Sequence, residues 1–99
     1  MSRPRYYWHG IARKMIQRYP MLGEERSMQA AIFRQAIDEA LDETAKLPNG
    51  ELRLAAIKDV LIDQTRTLYG EAAKVNYSEK TVQNWINSFV RLVGKKAGY

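Results

Sequence analysis

The chain of 99 residues has no cysteine. Disulfides, thiolate metal sites and a cysteine nucleophile are excluded together, and this usage fits a reducing, cytoplasmic location. Histidine occurs once, at His9, so one chain holds no multi-histidine zinc site. No apolar run approaches the ~18 residues of a membrane span, and no core of ~7–15 apolar residues follows the N-terminal arginines. No membrane partner is expected. Strand signals are nearly missing as well, because no stretch alternates cleanly between apolar and polar residues. The sequence also shows no nucleophile–base pair and no metal-ligand set, so neither enzymatic activity nor a cofactor is expected. What is present is 45% hydrophobic residues, enough for one packed core in a small domain.

The net charge of +5 is unevenly distributed. Residues 1–23 carry five bases (Arg3, Arg5, Arg13, Lys14, Arg18) and no acid. Residues 24–63 sum to −4 and residues 64–99 to +4. Two basic ends around an acidic middle suit a polyanionic partner at the ends and a solvated or protein-facing middle.

Helical spacing runs through the chain. Residues 5–18 place Trp8, Ile11, Ala12, Met15 and Ile16 on one face, and Pro20 ends that helix at or before Tyr19. A second helix is expected from Glu24 to about Ala45, with Met28, Ile32, Phe33, Ala36, Ile37, Ala40 and Leu41 as its apolar stripe. Pro48-Asn49-Gly50 marks a turn. Further helices are expected over 51–63, 68–75 and 79–93, the last capped by Ser78 and stopped by Gly94. The fold class is all-α, with about five helices. Two regions are read: an N-terminal helical region, 1–46, that completes the core or dimerises, and a C-terminal unit, 47–99.

Leu68 to Ile86 has the spacing of a helix-turn-helix. Ala72 is the small residue where two helices cross, and Asn76 stands at the turn position that favours a left-handed conformation. Val75 and Tyr77 flank the turn and are expected to point inward. Ser78 caps the second helix, whose inner side is Val82 and Trp85. The departures are Asn76 for the usual glycine and Trp85 where Ile or Leu is commoner. The outward face of such a helix enters the DNA major groove. Candidate DNA-binding residues are Ser78, Lys80, Thr81, Gln83, Asn84, Asn87 and Arg91, with Lys74, Arg66 and the Lys95-Lys96 tail as backbone anchors. Gln and Asn side chains can pair with adenine, and Lys or Arg with guanine or phosphate.

From Leu47-Pro48 through Gly94 the chain resembles the trihelical helix-turn-helix of bacterial sigma factor region four, in the order Leu-Pro, scaffold helix, Glu-Ala-Ala, Tyr-Ser-Glu-Lys-Thr-Val. Its small size and basic charge make it similar to phage transcriptional regulators of the ArpU and RinA type. The resemblance implies control of phage or prophage genes, with Lys80, Thr81, Gln83, Asn84 and Asn87 on the family's recognition-helix face. It covers about half the chain; the N-terminal half carries no motif of those families.

Other features have plainer readings. His9 is a surface or packing residue, and Asp38, Glu39, Asp42 and Glu43 form a solvated helix face. Tyr6-Tyr7-Trp8 closes the core or an interface. Expected partners are double-stranded DNA, a second copy of the chain met through the first two helices, and RNA polymerase. Two alternatives stay open: the DNA-recognition (small) subunit of a phage terminase, and a helical protein-interaction adaptor.

Overall fold

The computed structural model describes residues 9–65, 67–75 and 77–98. Tyr6-Tyr7-Trp8, Arg66 and Asn76 lie outside the described residues. Among those described there are six α-helices, one π-helical segment and no strand: α1 (His9–Gln17), α2 (Tyr19–Leu22), α3 (Met28–Ala45), α4 (Gly50–Ala56), the π-helix Ile57–Ile62, α5 (Leu68–Val75) and α6 (Glu79–Lys96). The all-α class expected from the sequence is what forms.

Local chemistry sets the boundaries. α1 stops at Gln17, and Pro20 sits in the first turn of α2, where its missing N–H costs nothing. That extra turn raises the helix count above five. The second long helix begins at Met28 and not at Glu24, because Ser27 supplies a stronger start. Its Oγ accepts the Ala30 N–H at 3.0 Å. Asn49 adopts φ 58°, a left-handed value that asparagine tolerates, and α4 follows at once. The ladder of α4 then loosens into the π-helix, with the Asp63 N–H reaching back to the Lys58 carbonyl. Gly94 does not stop α6. It is buried inside the helix, which continues to Lys96, and Gly98 at φ 97° takes the left-handed position beyond the end.

One core joins the two regions of the chain. Ala12 and Ile16 of α1, Phe33 and Ile37 of α3, Ile57 and Leu61 of the π-helix, and Ala72 of α5 pack with Val82, Ile86, Phe89 and Val93 of α6. Burial of this kind is worth roughly 1.5–3 kcal/mol for each large side chain, so the N-terminal helices hold α6 in place. Met28 and Ile32 depart from the expected stripe, being 80% and 43% exposed. The buried face of α3 is instead Ala30, Phe33, Ala36, Ile37, Ala40 and Thr44.

Candidate nucleic-acid interface

α6 is divided along its length. Val82, Trp85, Ile86, Phe89, Val90 and Val93 are buried at the spacing of one helical face. Lys80, Gln83, Asn84, Ser88 and Arg91 are exposed on the other, with Asn87 half-buried at its margin. Among the described residues, none of these polar side chains takes part in an ion pair or a side-chain hydrogen bond within the chain. They present unspent donors and acceptors on a rigid rod.

Ser78 fixes where that rod begins. Its Oγ accepts the Thr81 N–H at 3.2 Å and lies 2.9 Å from Thr81 Oγ1. Both hydroxyls therefore serve the helix start, and Thr81 is half-buried. The preceding helix closes with the Tyr77 N–H on the Ala72 carbonyl at 3.1 Å, a bond characteristic of helix C-termini. Ala72 is 4% exposed, as the crossing of two helices requires. Tyr77 corrects the sequence reading: it is 40% exposed rather than turned fully inward. Trp85 occupies the interior, and Tyr77 packs edge-on against it with ring centroids 5.2 Å apart. On another side of Trp85 stands the Arg53 guanidinium, 5.7 Å from the ring centroid and anchored by its Nε–H to the Pro48 carbonyl. The large indole is thus accommodated by an aromatic edge and a cation.

The expected backbone anchors meet different fates. Lys74 is held by Asp59 of the π-helix, with Nζ and Oδ2 3.1 Å apart. Lys96 is drawn onto α3, where it bridges Glu43 and lies 3.7 Å from Glu39. The Glu43 hydrogen bond is the main cause of a Lys96 pKa above its ordinary value. Lys95 remains exposed. Arg66 lies outside the described residues.

The acidic middle is accordingly not a uniformly solvated face. Asp38 accepts the Tyr19 hydroxyl, a bond that pushes the Tyr19 pKa up, and Glu39 and Glu43 hold Lys96. No group of acids or histidine able to hold a metal is found among the described residues. No described helix is long and apolar enough to cross a membrane. Sequence reasoning missed Asp59 altogether, because it meets Lys74 of another helix at a separation of fifteen residues and no local pattern joins them. It also passed over Glu71, fully buried on α5. Compared with known proteins, the chain matches no family model, no curated protein and no solved structure.

Proposed function

We propose that this protein binds double-stranded DNA in a sequence-specific way, with α6 as the helix that enters the major groove. The observation that carries the reading is the division of α6. One face is fixed in the core, while Lys80, Gln83, Asn84, Asn87 and Arg91 line the other without internal partners among the described residues. α6 carries four bases against one acid, which favours a polyanion. A capped helix of 18 residues can span the groove and keep its side chains in register. Gln83 and Asn84 are assigned to base edges; Lys80, Arg91 and Lys95 are assigned to phosphates or guanine.

Use of this binding in transcriptional regulation of phage or prophage genes rests on the resemblance of residues 47–94 to sigma region four and to ArpU- and RinA-type regulators. One such helix reads only a few base pairs, so the functional unit is a homodimer on paired half-sites.

The test has two parts. Selection from a random duplex library should recover a consensus, and affinity for it should fall with salt at a log–log slope of about −0.9 per phosphate contacted. Gln83→Ala or Asn84→Ala should then cost about 1–3 kcal/mol on that consensus and little on unrelated duplex. Absence of duplex binding at low salt would overturn the reading. Equal losses on every sequence would remove both residues from base recognition.

A further inference from the structure

Lys74 stands on the last turn of α5, beside the turn that leads into α6, where a helix-turn-helix meets the DNA backbone. Its ammonium is not free. Asp59 Oδ2 lies 3.1 Å away, and the Asp59 side chain is only 19% exposed against 45% for Lys74. The acid is the more firmly seated partner. Its own backbone is pinned, since the Asp59 carbonyl accepts the Thr65 N–H at 2.8 Å. The π-helix that presents Asp59 is packed into the core through Ile57 and Leu61. A phosphate approaching Lys74 therefore meets a carboxylate that is already in place and cannot swing far away.

We propose that Asp59 is a built-in electrostatic brake on DNA binding: it occupies Lys74 and keeps a carboxylate beside the path of the DNA backbone. This inference rests on the duplex-DNA reading of α6. In the native protein Lys74 contributes little to affinity, and neutralising Asp59 releases it as one more phosphate contact. The gain has two sources. Repulsion between the acid and the phosphate disappears, and Lys74 no longer exchanges one anionic partner for another.

The experiment is a double-mutant cycle on the full chain, with Asp59→Asn and Lys74→Ala alone and together. Affinity is measured by fluorescence anisotropy on a mixed-sequence duplex about two helical turns long, across a salt series. Asp59→Asn should bind roughly 3- to 10-fold more tightly at low salt, and its log–log salt slope should steepen by about 0.9. Lys74→Ala alone should change affinity less than about 2-fold, yet in the Asp59→Asn background it should return the salt slope to its native value and remove the share of the gain that Lys74 supplies, leaving only the share that comes from lost repulsion. A merely structural ion pair would lower the melting temperature in both single variants and leave the salt slope where it was. Asp59→Ser provides a second neutral side chain if the amide does not fold, with the same expectation.

An unchanged slope in a folded neutral variant overturns the brake while leaving the duplex-DNA reading intact. So does a Lys74→Ala loss as large in the native background as in the variant. If neither the native chain nor any variant binds duplex at low salt, the duplex-DNA reading fails and the brake fails with it.

Discussion

Gly50 tolerates no side chain. A Cβ there would stand 2.8 Å from the Ala45 carbonyl carbon and closer still to its oxygen. Both atoms belong to backbone at the end of α3 and cannot rotate away. We expect Gly50→Ala to cost about 1–3 kcal/mol, read as a lower urea midpoint with an unchanged slope. Gly10 is the control. A Cβ there meets nothing within 4 Å, and the position is helical, so Gly10→Ala should gain up to about 1 kcal/mol. The neighbouring Asn49 shows why the turn is legible from its residues. Its φ of 58° is the value that made asparagine informative at that position. The need for glycine at the next position was not legible in the same way, because it comes from a contact with α3 and not from the backbone angle.

At the level of elements, α5 and α6 start where the sequence places them, since hydrophobic spacing and the Ser78 cap are local signals. The π-helix is not readable in that way. Leu54, Ile57 and Leu61 fit an ordinary helical face, and nothing in their spacing marks the wider turn that follows Ala56. The same holds for the two polar ties onto α3. Tyr19 donates to Asp38, and Lys96 bridges Glu43, but neither pair lies within one helix. Both proton-bearing groups have folded pKa values raised above their ordinary ones. The folded state then holds these protons more tightly than the unfolded chain does. Their contribution is complete below the unfolded values, near 10 for both, and is lost as pH rises through the folded ones. The melting temperature should therefore decline in the alkaline range above about pH 10. Tyr19→Phe should melt lower at neutral pH and show a shallower alkaline decline than the native chain. Equal declines in both proteins would show that Tyr19 takes no part.

For the whole molecule, the count of 16 lysines and arginines overstates the cations available to a polyanion. The acidic middle of the chain folds back on both basic ends: Glu25 holds Arg18, Asp59 holds Lys74, and Glu39 and Glu43 hold Lys96. Along α6 the cations without an ion pair among the described residues are Lys80, Arg91 and Lys95. Adjacent lysines at the end of the helix should therefore behave differently, although sequence alone makes them equivalent. Lys95→Ala removes a cation facing solvent, so the log–log salt slope of duplex binding should flatten by about 0.9 while the melting temperature scarcely moves. Lys96→Ala removes a cation already spent on α3. It should lower the melting temperature by loosening the end of α6 and leave the salt slope unchanged. Melting curves and salt titrations on the same two variants decide the matter. A slope change as large for Lys96 as for Lys95 would mean that DNA draws Lys96 off Glu43, and that the acidic middle does not hold its lysines against phosphate.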